Sequence, residues 1–329
     1  MSRYAWIGKR NDPGYYLALE EACLRESKSD FLLLWISDPA VFVGKNQNVW
    51  AQVSAAEAFR SKIPVYRRLS GGGTVYHDHG NLNFSLISNG EAKIAFRDHL
   101  EEILPYFDAR GIEATIRNKS DLFCDGKKVS GNAEYFTGSR VLHHGTLLFD
   151  ADLGQMRRLL TPNKNGYRDR SIDSNRNETT NLKGKLPDLE NTYSLSCDIV
   201  QTLAKENHPV LPVENLPENL EIKAQKYCDK FTSLEWIYGR SPNYHFERIR
   251  TFGSSRIETR ITVKEGRIEA IDLAVKPIEK LWNEDLDKST KGLTGCYHCP
   301  KEIHKIVSSL EPRQGFIPFL RQHWLEILF

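Results

Sequence analysis

Three consecutive glycines, Gly71-Gly72-Gly73, interrupt a strand-like run, and they restrict the fold of their neighbourhood more than any other feature of the chain. None carries a Cβ, so an unbroken helix or strand across them would be costly. Ile63–Leu69 before them and Thr74–His77 after them have strand character, so the expected local structure is strand, open loop, strand. A glycine loop lets the backbone approach a ligand closely, with its N–H groups pointing outward. Arg67 and Arg68 just upstream add two fixed charges and fork-shaped donors suited to phosphate or carboxylate. An anion-binding loop is one reading; a glycine-rich turn with solvated arginines fits the same residues. The loop is not a P-loop, because no Gly-Lys-Ser/Thr follows, and its contiguous glycines do not match the spaced dinucleotide fingerprint.

Other punctuation sets the rest of the frame. Asp12-Pro13-Gly14 precedes a helical pattern over Tyr16–Arg25, and Ser54 with Glu57 has the form of a capping box. Phe31–Ile36 and Val41–Gly44 read as a strand pair, and Leu82–Ile87 as a further strand. Periodicity predicts one helix over Ala92–Arg110, closed by Gly111. Asp125-Gly126 between Asp121–Cys124 and Lys127–Tyr135 is a strong hairpin signal. The stretch 162–189 is polar, with little apolar periodicity, and long stretches of that kind are often functional. Helices are expected over Asn191–Ala204 and Glu214–Phe231. Three strands, Phe246–Phe252, Arg256–Val263 and Arg267–Val275, then precede helices near 301–310 and 315–327.

At 329 residues the chain exceeds one ordinary core, so two domains are expected, 1–244 and 245–329. With 45 basic and 43 acidic residues the net charge is +2, without the basic excess of a nucleic-acid binder. No apolar run approaches the roughly 20 residues of a membrane span. Met1–Lys9 lacks a signal-peptide pattern, and the six cysteines are scattered. These features lead to an expectation of a cytoplasmic protein without disulfides.

Two further segments carry chemistry. On a regular strand Lys128 and Ser130 share one face while Lys127 points the other way; a hairpin with two solvated lysines is the plain alternative. His143 and His144, adjacent on a strand, face opposite ways. No third metal ligand stands at useful spacing, so one is expected to pack and the other to line a site. Cys296-x-x-Cys299 with His298 and His304 resembles part of a zinc knuckle, but only three placed ligands can be counted, and no structural zinc is expected.

Taken in order, these blocks resemble the lipoate–protein ligase family over nearly the whole chain. They are Arg67-Arg68-x-Ser70-Gly71-Gly72-Gly73-x-Val75-x-His77-Asp78, Gly80-Asn81, Asp121-Leu122, Gly126-Lys127-Lys128-Val129-Ser130-Gly131 and His143-His144-Gly145-Thr146-Leu147-Leu148. The resemblance implies an α/β (α+β) fold: a mixed-sheet catalytic domain related to biotin ligases, with a small α+β C-terminal accessory domain. It implies ATP-dependent conversion of lipoate, or octanoate, to an acyl-adenylate. The acyl group would pass to a lysine on lipoyl domains of 2-oxoacid dehydrogenase E2 subunits and on glycine cleavage H protein. A monomer is expected, with no nucleic-acid or membrane partner. The implied ATP site is Arg68, Gly73, Thr74, Val75, Tyr76 and Lys128, and the implied lipoate site is Ser70, Gly71, Gly72, His77 and Lys128. Lys128 would be the catalytic cation, contacting carboxylate and α-phosphate, and Asp121 would hold Mg2+. The segment near 162–182 would close over the adenylate. The competing reading is an ATP-independent lipoyl/octanoyl amidotransferase of the same superfamily, with Cys124 as the one cysteine placed to hold an acyl group.

Overall fold

Central strands buried on both faces build a mixed eight-stranded sheet around which the first of two compact units forms. The computed structural model describes residues 3–90, 96–118, 120–161, 166–170, 177–205, 210–276, 282–311 and 315–329. Across the sheet the strands run Val210–Pro212, Arg3–Ile7, Phe31–Trp35, Asn81–Asn89, Arg140–Leu148, Lys127–Phe136, Asp121–Cys124, Ala114–Arg117. The first two pairings are parallel and the others antiparallel. Leu32, Leu34, Leu82, Phe84, Leu86 and Leu147 face a core completed by Tyr106, Phe107, Leu195 and Ile199. The opposite face receives the helix Pro13–Glu26, whose N-terminus is capped by the Asp12 carboxylate accepting from Gly14 and Tyr15 N–H.

The two units are 1–44, 66–156 and 174–232, and 45–65, 157–173 and 233–329. Neither is one continuous stretch, whereas the sequence reading placed a single cut at 244/245. The second unit contains the expected meander, Tyr244–Phe252, Ser255–Lys264 and Arg267–Lys276, with Tyr167–Arg168 added at its edge. Helices Trp282–Leu293, Pro300–Ser309 and Phe316–Leu328 belong to the same unit.

Local expectations fared unevenly. Ser54 caps Ala55–Arg60 by accepting from Glu57 N–H, one half of the expected capping box; its own N–H donates to Leu159 O rather than to the Glu57 side chain. Asp125 and Gly126 both take positive φ, 50° and 76°, the primed turn that suits a tight hairpin. The single helix over 92–110 is corrected: two short helices, Phe96–Glu101 and Leu104–Ala109, stand there. Pro105 lacks an N–H and restricts the residue before it, so it starts a helix but cannot sit inside one. Phe31–Trp35 and Ala40–Val43 are not a pair; they lie in different sheets, the latter in a small sheet with Val75–His77. Of the polar stretch, 162–165 and 171–176 lie outside the described residues. Its later part is less bare than expected, because Leu182 and Leu186 are buried in the core.

Candidate active site

The glycine loop is shaped from within by Arg68. This guanidinium is buried, and burial lowers its pKa to about 10. Its donors are spent on the chain around it. Nη2 donates to Gly71 O and Gly73 O, both at 2.6 Å; Nη1 donates to Phe42 O at 3.1 Å; and Nε donates to Ser70 Oγ at 3.0 Å. Gly72 takes φ +83°, and its carbonyl packs so close to Gly44 that a Cβ there would lie 2.3 Å from it. Arg68 therefore holds the loop's carbonyls inward, and the loop's form depends on it. Arg67, also buried, donates to Gly44 O at 2.8 Å. Thr74 and Tyr76 are buried, and Val75 is half-buried.

Ser70 links the loop to the sheet. Its Oγ lies 2.6 Å from His144 Nε2, and His144 Nδ1 lies 3.0 Å from Glu20 Oε1. Ser85 Oγ donates to the same carboxylate at 2.6 Å and receives Trp35 Nε1–H at 3.1 Å. One tautomer satisfies the chain: Nδ1–H to Glu20, Ser70 O–H to Nε2, and Arg68 Nε–H to Ser70. The residue types match a nucleophilic triad, but Ser70 is fully buried and carries the Arg68 donor, so the arrangement orients the loop. Glu20 was not singled out from sequence, because nothing in helical spacing says which residue across a sheet a helix will touch. His143 faces away from His144, as alternation requires, toward Glu134 and His99.

His77 forms part of an aromatic wall. It stacks on Phe42 at 4.3 Å and meets Trp35 edge-on at 6.1 Å. Among the described residues neither ring nitrogen has a hydrogen-bond partner. Burial holds its pKa well below the usual histidine range, with Arg68 and His144 adding to the effect.

Lys128 stands on the neighbouring hairpin. The sequence reading put it on the face of Ser130; the structure corrects this. The register slips between Leu122 and Phe123, so Asp121 pairs with Gly131 and Phe123 with Lys128, which leaves Val129 as an extra residue. The bulge turns Lys128 onto the Asp121 side. Its Nζ lies 2.7 Å from Asp121 Oδ1. The lysine lies across Gly131, where a Cβ would come within 3.0 Å of Nζ. Its backbone is fixed as well: N–H donates to Glu178 O at 2.8 Å, and its carbonyl accepts Thr180 N–H at 3.0 Å. Lys127 is exposed and pairs with Glu178. Asn118 and Asn177 amides approach Asp121 Oδ2 at 3.5 and 3.4 Å.

Loop and lysine meet on one strand. Gly72 faces Ala133, with 3.5 Å from its virtual Cβ to the alanine methyl, and the Lys128 ammonium lies over Gly131. Residues two apart share a strand face and are about 7 Å apart. The carbonyl-pinned glycine loop and the ammonium thus address one small region. Cys124, behind them, is fully buried, and burial pushes its thiol up to about 11. In the second unit His298 is committed to Tyr244 OH at 2.5 Å and Leu328 O at 2.8 Å, and Cys296 and Cys299 are free thiols.

The pattern that defines the lipoyl protein ligase A/B catalytic domain matches residues 12–201. Lipoate-protein ligase LplJ of Bacillus subtilis is 32% identical over 269 residues, 79% of this chain and 80% of that protein. Among solved structures, P. falciparum LipL1 in complex with lipoate superposes with a TM-score of 0.62 at 20% identity, covering 99% of this chain and 100% of that one. Lipoate-protein ligase A bound with ATP gives 0.62 at 22% identity, over 72% and 98% of the two chains. At such identities these two likenesses are of fold.

Proposed function

The chain belongs to the lipoyl protein ligase A/B catalytic domain family, and from that premise we propose that it joins lipoate to ATP as lipoyl-adenylate and then transfers the lipoyl group to a carrier lysine. It is an enzyme of the lipoate–protein ligase class. The observation that carries the proposal is the placement of Lys128 Nζ beside the glycine loop, on one face of one strand.

Adenylation needs a carboxylate to attack the α-phosphate while pyrophosphate leaves. Two like charges about 4 Å apart repel by roughly 4 kcal/mol at a near-surface dielectric. An ammonium between them replaces that repulsion with two attractions, which strengthen as charge moves to the leaving group. Lys128 is held ready by Asp121, and exchanges it for the substrates as they arrive. The glycine loop presents its N–H groups to the phosphates because Arg68 holds its carbonyls inward. In the second step a neutral carrier amine attacks the acyl carbonyl, AMP departs, and the amine proton is lost. Lys128 steadies the developing oxyanion. The Asp121 carboxylate, which accepts from Nδ2 of Asn118 and Asn177, is the one oxygen ligand these contacts offer Mg2+; the ion, if held there, would neutralise phosphate charge. Lipoyl domains of E2 subunits and glycine cleavage H protein are the carriers we infer, with the enzyme acting as a cytoplasmic monomer. Among the described residues no helix is long and apolar enough to cross a membrane.

Pyrophosphate exchange with lipoate, octanoate and biotin in parallel tests the reading. Exchange with lipoate is expected, and none with biotin; exchange absent for both acids would refute adenylation. The ATP-independent route would need a thiolate at Cys124, which a thiol raised to about 11 by burial does not supply near neutral pH. Cys124→Ala is accordingly expected to keep lipoyl transfer within about twofold, at a stability cost near 1 kcal/mol. Loss of transfer would revive the rival.

His77 offers a second check. His77→Phe keeps the stack on Phe42 and deletes two buried nitrogens that have no partner among the described residues. Ligand-free stability should hold or rise by about 1 kcal/mol, while the KM for lipoate rises. An unchanged KM would remove His77 from the acid site.

A further inference from the structure

On the sheet face opposite His144, three side chains converge. His99 Nδ1 and His143 Nδ1 lie 3.0 and 2.9 Å from the same atom, Glu134 Oε1. The two rings stack at 5.1 Å. His99 and His143 are 2% and 0% exposed, and the Glu134 side chain 16%. Helix Phe96–Glu101 supplies one donor and paired strands the other two, since His143 and Glu134 are direct cross-strand partners.

Hydrogen bonding nearby assigns the tautomer of His143. Asn132 Nδ2 lies 2.8 Å from the Ser120 carbonyl and 3.0 Å from Ser130 Oγ. A carbonyl only accepts, so the amide nitrogen must face it. Asn132 Oδ1 is thereby fixed 3.3 Å from His143 Nε2. A ring nitrogen facing an amide oxygen carries the hydrogen. In the neutral ring, Nδ1 then points a lone pair at a carboxylate oxygen 2.9 Å away. Two acceptors in contact require a cation between them.

We propose that His99, Glu134 and His143 form a site for a divalent transition-metal ion, with Zn2+ the best fit. Two imidazoles and one carboxylate are a familiar zinc donor set, and a water would complete four ligands. Their ligand atoms all lie within 4.8 Å of one another. A tetrahedral ion with bonds of about 2.0–2.1 Å spaces its donors about 3.3 Å apart, so binding needs only a slight opening. Asn132 plays the part of the outer partner that orients a metal-bound imidazole through its other N–H. The ion would clip helix Phe96–Glu101 to the hairpin. The sequence reading saw no third ligand at useful spacing from His143 and His144; Glu134 and His99 are brought in by pairing and packing.

Cobalt reports the site directly. Untagged full-length protein, stripped with chelator, is titrated with Co2+ alone. Visible ligand-field bands saturating at one ion per chain are expected, displaced by Zn2+ and abolished in Glu134→Gln, with affinity about 10–100-fold weaker in Asn132→Leu. Absence of bands in the wild-type protein overturns the proposal, as do bands that survive Glu134→Gln. If Glu134→Gln fails to fold, 15N NMR of wild-type histidine decides. A Zn2+-dependent shift of His143 Nδ1 supports the site; a His143 ring protonated at both nitrogens in excess Zn2+ near neutral pH means that a proton is the cation and refutes it.

Discussion

Lys128→Ala is expected to lower lipoate-dependent pyrophosphate exchange about 10³-fold, the upper range for removing one preorganised electrostatic group from a reacting centre. The reason is geometric. A single ammonium, placed by a bulge over Gly131 and tethered at 2.7 Å to Asp121, is the cation that the proposed mechanism puts where carboxylate and phosphate must meet. The fold should survive, because the Lys128 side chain is 19% exposed and the hairpin is held by its backbone and the Asp125-Gly126 turn. Asp121 loses its partner but keeps two amide neighbours, so the stability cost should stay near 1–2 kcal/mol. Lys128→Arg is not a rescue: the bulkier planar head must cross the same glycine, and its fork does not place one point charge between two anions. Transfer from preformed lipoyl-adenylate should fall less than exchange, since that step lacks the meeting of two anions. Wild-type exchange in Lys128→Ala, measured on protein with native circular dichroism, would remove the lysine from the mechanism.

What could be read from the residues divides along physical lines. Local chemistry was legible. The Asp125-Gly126 turn, the Ser54 cap and the alternating strands of the second unit each follow from what a few neighbouring residues can do. Pairing was not. Phe31–Trp35 and Ala40–Val43 are adjacent in sequence, yet the first lies between two strands of the large sheet and the second in another sheet. The face carrying Lys128 was misjudged because alternation assumes a regular ladder, and the extra residue at Val129 reverses it. The same limit hid Glu20 and Glu134. Each carboxylate meets a histidine only through helix-to-sheet packing or cross-strand register, and no spacing along the chain encodes either. Arg68 shows a subtler gap. The sequence marks it as a cation beside a glycine loop and suggests phosphate as its partner; the structure shows its donors committed to protein carbonyls.

That commitment makes Arg68→Lys a sharp experiment. If Arg68 served only as a phosphate ligand, lysine would keep the charge and the ligand-free protein would keep its stability. If it is the inner frame of the loop, lysine fails before any nucleotide is added. Four acceptors, Gly71 O, Gly73 O, Phe42 O and Ser70 Oγ, surround a planar fork with five hydrogens. A compact ammonium has three hydrogens and no way to reach all four at once. Buried carbonyls left without donors cost about 1–3 kcal/mol each where water cannot replace the lost bond. A loss of about 2–4 kcal/mol in denaturant unfolding without ATP is therefore expected, together with a KM for ATP raised at least about tenfold as the loop's N–H groups lose their common direction. Stability in the absence of nucleotide is the deciding quantity. A ligand-free Arg68→Lys protein within about 0.5 kcal/mol of wild type would show that the loop holds its shape unaided, and would return Arg68 to direct contact with phosphate.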